Sequence, residues 1–465
     1  MTRRTAERRV GVARQKDDLD RIEDLFRSSA RAPRGSDRPD PRAAARDREA
    51  RQRRRRGAVL AALLTALVLA LGGGYVAAAL TAPLGPPVGA IRQPAVPTPP
   101  AATLAMPTAG EFAVSVSGAD EYLGPGASGI LAASGGDAAV PIASISKIII
   151  AMVILEAKPL GPSDEGPTIT FSSSDHALYD SYYTRNATIA EMPAGSSMSE
   201  RDALTTMLVI SASNYAEAVS TWAFGSQPAF LSATRRWLAA RGLTSTTLVE
   251  PTGLDPRNRS TPGDLIALGR LAAADPVVSG IVAMPVLDAP GQPPLPNTND
   301  LLGTEGVNGI KTGTLEPYGS NLLFSAALDI GRPTTLTVIG VLLGSGGRLQ
   351  ADTEVADFLA SLRAGFHSVR VAKAGTVVGT YRTPWGSAAT MVLASRASVF
   401  TWSDTPVAVK VTTLGLGSGR SGQKVGSISY TAGSATATVP VVLRGSIRPP
   451  TAWWRLTHPR EVLGW

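Results

Sequence analysis

Hydrophobic and polar positions alternate along this chain in several distinct textures. Over the first 56 residues Arg alternates with Asp and Glu, and large apolar side chains are few. This pattern predicts largely disordered chain with a short helix around residues 19–26. Gly57 to Leu80 is then a continuous run rich in Ala, Leu and Val, and no charged residue occurs from Gly57 through Ile91. As a helix this run spans about 36 Å, enough to cross a bilayer with some tilt. Eight prolines between Pro83 and Pro107 mark residues 81–108 as a semi-extended linker.

Ordered patterning starts near Glu111. Phe112–Ser117 alternates like a strand, and Pro141–Leu160 has the Ser-rich start and apolar body of a helix. Helical spacing recurs at 201–222, 226–241 and 263–274. Strand-like runs follow at Leu322–Leu328 and Thr334–Leu343, then a helix around 348–364. From Ser368 the texture changes to short β-type runs between glycines, such as Val369–Val371, Thr376–Tyr381, Thr390–Leu393 and Ala435–Leu443. The chain thus reads as an α+β domain over 109–365, an all-β domain over 366–448, and a tail over 449–465.

Charge sharpens this division. The net charge is +8, but residues 1–56 hold 19 basic against 10 acidic residues, and the remainder holds 26 against 27. The basic excess belongs to the N-terminal tail, which argues against a nucleic-acid-binding fold. Arg53-Arg54-Arg55-Arg56 directly precedes the apolar run and places the N-terminus in the cytoplasm and the later domains outside. A cleaved signal peptide is the competing reading, since Ala77-Ala78-Ala79 resembles a cleavage site. A 56-residue charged lead is far longer than a usual n-region, so an uncleaved anchor over 57–80 is favoured. The chain has no Cys, which excludes disulfide scaffolds, thiolate metal sites and Cys nucleophiles. Its three His, at 176, 367 and 458, show no ligand spacing, so no metal is expected. With only seven Lys in the chain, a Lys inside a motif stands out.

Three short motifs carry candidate chemistry. In Ser144-Ile-Ser-Lys147 the hydroxyl and amine share one helix face. Burial beside Ile148–Ile150 would lower the Lys147 pKa enough for it to take the Ser144 proton. A helix N-cap Ser followed by a solvated Lys gives the same letters. In Lys311-Thr312-Gly313-Thr314, just ahead of two strands, a basic residue on an edge strand suits a carboxylate, and Gly313 allows close backbone approach. The bland alternative is a strand end with a snorkelling Lys. Ser211-Ala212-Ser213-Asn214, on a predicted helix, offers a hydroxyl to relay a proton and an amide to hold a peptide group, or plain polar helix surface.

In this order, with about 65 and about 100 residues between them, the motifs resemble those of the serine penicillin-recognising enzymes. The flanks narrow the resemblance to the D-alanyl-D-alanine carboxypeptidases among the low-molecular-mass penicillin-binding proteins. Ile142–Glu156 is similar to that family's nucleophile helix, and segments 251–255, 260–265 and 297–302 to further family stretches. The resemblance covers about 110–460. It implies a β-lactamase/transpeptidase-like catalytic domain, an antiparallel sheet flanked by helices, followed by a β-rich accessory domain. It also implies that Ser144 attacks the carbonyl between two terminal D-alanines, Lys147 takes its proton and Ser211 passes it to the leaving amine. Lys311 and Thr312 would bind the terminal carboxylate, and the N–H groups of Ser144 and Thr314 would hold the oxyanion. Cofactors are not required. The implied partners are peptidoglycan stem peptides ending in D-Ala-D-Ala, with β-lactams as inhibitors, and the implied location is a bacterial cell membrane, single-pass, with the catalytic domain outside.

One departure matters. The family's S-x-N has become Ser211-Ala212-Ser213, with the amide one place late at Asn214. Either Ser213 substitutes weakly, or Asn214 reaches in, or activity is low. A β-lactamase is the alternative enzyme, yet the E-x-x-x-N that the class A resemblance would require is absent, and the β domain is foreign to it. A non-catalytic peptidoglycan-binding or division-scaffold protein is a third reading, against which intact Ser144, Lys147 and Lys311 weigh. Gly417–Gly422 fits a dinucleotide fingerprint only by its letters, because β-type sequence follows it. Trp453-Trp454 suits a membrane or a partner, with packing under the β domain favoured.

Overall fold

The computed structural model describes residues 41–288, 294–416 and 418–464, so the helix expected around 19–26 lies outside the described residues. Residues 85–450 pack as one compact unit, and residues 41–84 together with 451–464 form another.

At the centre of the larger unit is a five-stranded antiparallel sheet, in the order Val307–Leu315, Gly319–Leu328, Leu336–Ser345, Glu111–Ser117 and Ala132–Ser134. Its central strands read as continuous apolar runs because both faces are covered. Period-two alternation deals their side chains to two separate cores. Leu323, Ile339 and Val341 face a core built with the helices Ser146–Ala157, Glu200–Val209, Ser213–Phe224 and Pro262–Ala274. Their neighbours Leu322, Phe324, Val338 and Leu342 face the opposite core, where Val355, Phe358, Leu359 and Leu362 of the helix Arg348–Ala364 pack. The helix Ser146–Ala157 is buried nearly all round, which explains why its sequence shows no polar stripe.

Two expectations need correction. The helix expected over 201–222 is two helices, because the chain breaks between Val209 and Ser213 and Ser211 takes a left-handed φ of 67°. The Pro-rich stretch is not a free spacer. Val88–Ile91 forms the edge strand of the β-rich sheet by pairing with Val377–Arg382. Further on, the Ala102 and Ala105 amides donate to the Ser403 and Ser361 hydroxyls. Prolines suit such an edge because the outer N–H groups have no ladder partner to lose.

The β-rich part is a six-stranded antiparallel sheet, in the order Val88–Ile91, Val377–Arg382, Ala388–Leu393, Ala435–Arg444, Lys424–Ala432 and Ala408–Thr413. A separate pair, Phe366–Ala372 with Ala397–Trp402, adjoins the five-stranded-sheet part through Tyr122, Phe366 and Phe400, whose rings meet edge-on or stacked.

In the smaller unit Pro41–Thr81 is a single helix, and its Arg48–Thr81 part contains a stretch long and apolar enough to cross a membrane. The tail forms two short helices, Ala452–Thr457 and Pro459–Leu463, against the end of that long helix. The Tyr75 hydroxyl donates to the Leu456 carbonyl at 2.6 Å, and Arg455 donates to the carbonyls of Ala79 and Ala82 at 3.1 and 2.9 Å. These are terminal carbonyls without an intrahelical partner, which a guanidinium satisfies well. Trp454 stacks on His458, while Trp453 is 75% exposed. The tail is therefore packed on the end of the long helix.

Candidate active site

Ser144 lies on a 3-10 turn, Ala143–Ile145, that feeds the helix Ser146–Ala157. Ala143 has a left-handed φ of 48°, a strained conformation of the kind that concentrates at functional turns. The three-residue spacing brings Lys147 Nζ to 3.0 Å from Ser144 Oγ. Lys147 is fully buried and also donates to Ser213 Oγ at 3.4 Å and to the Thr252 carbonyl at 2.7 Å.

Two glycines let the surrounding walls close on this turn. A Cβ on Gly313 would lie 2.9 Å from the Ser144 nitrogen, and one on Gly253, whose φ is +87°, would lie 2.0 Å from the Ala143 carbonyl oxygen. Neither position accommodates a side chain. The segment after Gly253 is tied down by Glu250, whose carboxylate accepts from Thr252 N, Thr252 Oγ1, Gly253 N and Asn258 Nδ2.

Ser144, Ser211, Ser213, Thr298, Thr312, Gly313, Thr314 and Arg348 line one cleft of about 620 Å³. Residues expected from three separate motifs thus meet around a single space. Lys311 lies behind the wall, 1% exposed, with Nζ donating to Thr298 Oγ1 and to the Thr312 carbonyl at 3.2 Å each. Thr312 donates in turn to Thr298 at 2.7 Å. Arg348, held by Asp300 at 2.8 Å, and Arg185 are cations on the cleft wall itself.

Burial pulls the Lys147 pKa down to about 7, and the nearby Glu250 carboxylate only partly opposes this. Such an amine is substantially neutral at physiological pH and can accept a proton. Burial also holds Lys311 well below the usual lysine range, assisted by the positive charges of Lys147 and Arg348.

The Ser211–Asn214 segment is arranged differently from expectation. Asn214 does not reach the cleft. It is fully buried, and its amide makes a two-point contact with the backbone of Ala190, donating at 2.7 Å and accepting at 3.1 Å. Starting a new helix at Ser213 turns Asn214 away from Lys147 and leaves Ser213 facing it. Ser211 lines the cleft, but the lysine bonds to Ser213. Sequence reasoning missed Thr298, Arg348 and the Thr252 carbonyl. The first and last sit in the flanking segments 297–302 and 251–255, which carried resemblance without a role. Arg348 had no local signal beyond opening a helix.

Comparison with known proteins finds similar chains. Residues 125–343 match the family model described as D-alanyl-D-alanine carboxypeptidase. A D-alanyl-D-alanine endopeptidase of Pseudomonas aeruginosa is 30% identical over 210 residues, covering 44% of this chain and 64% of the relative. One from Escherichia coli is 29% identical over 206 residues, covering 43% and 63%. The chain therefore spans just under two thirds of the length of these relatives. Among solved structures, penicillin binding protein 5 from Haemophilus influenzae aligns over 77% of this chain and all of its own, at 19% identity and a TM-score of 0.49. A D-alanyl-D-alanine carboxypeptidase from Mycobacterium tuberculosis aligns over 59% and 94%, at 24% identity and a TM-score of 0.44. Residues 125–343, which supply the cleft from Ser144 to Glu316, are thus similar to the D-alanyl-D-alanine carboxypeptidase family.

Proposed function

We propose that the protein is a membrane-anchored serine D-alanyl-D-alanine carboxypeptidase acting on peptidoglycan stem peptides. The observation that carries this reading is the buried Lys147 ammonium 3.0 Å from Ser144 Oγ, with a pKa near 7. Ser144 Oγ attacks the carbonyl of the penultimate D-alanine while neutral Lys147 takes its proton. The backbone N–H groups of Ser144 and Thr314 receive the negative charge that develops on the carbonyl oxygen, a contribution of several kcal/mol in comparable sites. The C–N bond then breaks. The proton held by Lys147 passes by way of the Ser213 hydroxyl to which it donates, beside Ser211, to the departing amine, which leaves as free D-alanine. Water attacks the resulting ester, gives up a proton to Lys147, and releases the shortened peptide with Ser144 restored. Lys311, Thr312 and Arg348 supply the positive, donor-rich end that suits the terminal carboxylate. The span 57–80 serves as a single anchor, with Arg53–Arg56 on the cytoplasmic side and the catalytic part outside.

The same machinery cleaves cross-links when the departing amine belongs to a second stem peptide. The two endopeptidase relatives favour this as the second reading. Both are tested together. The protein is incubated with a D-Ala-D-Ala pentapeptide and with a cross-linked dimer, and released D-alanine and monomer are measured. A fluorescent penicillin should label the protein at Ser144, and label that persists in Ser144→Ala would refute the assignment.

A further inference from the structure

The helix Pro41–Thr81 does not begin where its apolar stretch begins. It runs unbroken into that stretch from a basic lead, so residues 41–56 extend the span as a rod about 24 Å long. The lead holds eight Arg against one Asp and one Glu. Its last four residues, Arg53-Arg54-Arg55-Arg56, are all exposed, and among the described residues none of them makes an ion pair or a hydrogen bond. Orientation in a membrane requires only an excess of positive charge on one side. The helical form adds a geometry to that charge. Successive residues of a helix point about 100° apart, so four consecutive arginines face four different directions and close a ring around the rod. Gly57 follows, and the next charged residue is Arg92. The ring is therefore a cationic collar set directly against the apolar surface.

This inference rests on the reading of 57–80 as a membrane span with the Arg block inside. About 36 Å of helix then crosses a hydrocarbon core of about 30 Å, which leaves the collar at the depth of the inner-leaflet phosphates. A guanidinium meets a phosphate through two parallel hydrogen bonds. A zwitterionic lipid brings its own ammonium to that contact, and the collar repels it. A lipid of net negative charge carries no such group. We propose that Arg53–Arg56 form a binding collar for anionic phospholipid headgroups, selecting them over zwitterionic ones on every side of the helix.

Native mass spectrometry of the full-length protein, in neutral detergent with equal amounts of phosphatidylglycerol and phosphatidylcholine, tests this. Phosphatidylglycerol adducts should exceed phosphatidylcholine adducts by roughly tenfold, because each basic residue at a membrane surface adds a several-fold preference for negative charge. Arg53→Gln, Arg54→Gln, Arg55→Gln and Arg56→Gln together should bring the ratio close to one. The four corresponding changes to Lys, which keep the charge and the orientation it sets, should retain part of it. Arg46→Gln with Arg48→Gln, about 8–11 Å further from the span, should change the ratio little. Labelling by a fluorescent penicillin checks that each variant folds. A wild-type ratio near one, a ratio that survives the four Gln changes, or an equal loss in the Arg46 and Arg48 variant would overturn the collar while leaving the anchor in place. A membrane-extracted protein whose mass begins near Leu80 would overturn the anchor reading and the collar with it.

Discussion

The Lys147 ammonium donates to the Thr252 carbonyl at 2.7 Å, a contact that joins the nucleophile helix to a loop more than 100 residues away. It helps hold the lysine amine beside Ser144 Oγ, 3.0 Å away. The loop is held in turn by Glu250, whose carboxylate gathers the amides of Thr252 and Gly253. Glu250 is also the group that keeps the Lys147 pKa from falling further.

That coupling sets the pH dependence. Lys147 accepts a proton only when neutral, so the neutral fraction grows as pH rises through about 7. The penicillin acylation rate should climb between pH 6 and 8 and level off above. Removing the Glu250 charge in Glu250→Gln takes away the one group that favours the charged amine, so the midpoint should move to lower pH. A rate that is flat from pH 5.5 to 8.5 would rule Lys147 out as the base.

Ser213 and Asn214 are neighbours with opposite duties. Asn214→Ala leaves a buried N–H and a buried carbonyl of Ala190 without partners, at a cost of about 2–4 kcal/mol. It should lower Tm markedly. Ser213→Ala removes a hydroxyl 3.4 Å from Lys147, and should slow acylation while leaving the melting transition nearly in place. Equal effects of the two changes on Tm and on acylation would contradict this division.

Much of this was legible in the sequence, and the limits are instructive. The apolar run 57–80, the strands around 322–343 and the helix 348–364 follow from periodicity because burial dictates it. Ser144, Lys147 and Lys311 could be found because each motif combines a nucleophile or cation with a fixed local spacing. The break at Ser211 was not visible, since nothing in the composition of 201–222 opposes one continuous helix. It is imposed by tertiary packing, with the Ser213 amide donating to the Thr188 carbonyl at 2.7 Å and Asn214 capturing Ala190. The strand at Val88–Ile91 was hidden for a similar reason, because a short edge strand in a proline-rich stretch owes its form to the sheet it joins.

Glu200 predicts a second pH effect, on stability. Its side chain is fully covered, and among the described residues neither carboxylate oxygen has a hydrogen-bond partner. Burial raises its pKa from 4.5 to about 7, against a weaker opposing pull from Lys158. Between those values the folded protein keeps a proton that the unfolded chain releases, so stability should fall as pH climbs from about 4.5 through 7. Above pH 7 the full cost of the buried charge is present. Glu200→Gln should therefore gain about 1–3 kcal/mol more at pH 8 than at pH 5. Parallel Tm changes at the two pH values would show that Glu200 remains ionised in the folded state.

The contacts at the end of the long helix bear on how the chain sits in the membrane. Arg455 satisfies the Ala79 and Ala82 carbonyls, and Tyr75 bonds to Leu456, so the tail 452–463 and the end of the span form one packed element. If 57–80 crosses the bilayer with the Arg cluster inside, that element lies at the outer surface. Protease added to intact spheroplasts should then digest the region after 81 and spare a short membrane-protected N-terminal fragment containing residues 1–56. Within the digest, cleavage after Arg455 should be slow, because its side chain is engaged. Arg455→Ala releases two terminal carbonyls and the tail with them, so cleavage at the remaining tail sites, such as Arg460, should accelerate several-fold relative to sites in the β-rich sheet. A soluble product beginning near Leu80 would show that the segment is removed as a signal. Unchanged tail cleavage in Arg455→Ala would show that Tyr75 and the short helices hold the tail without the guanidinium.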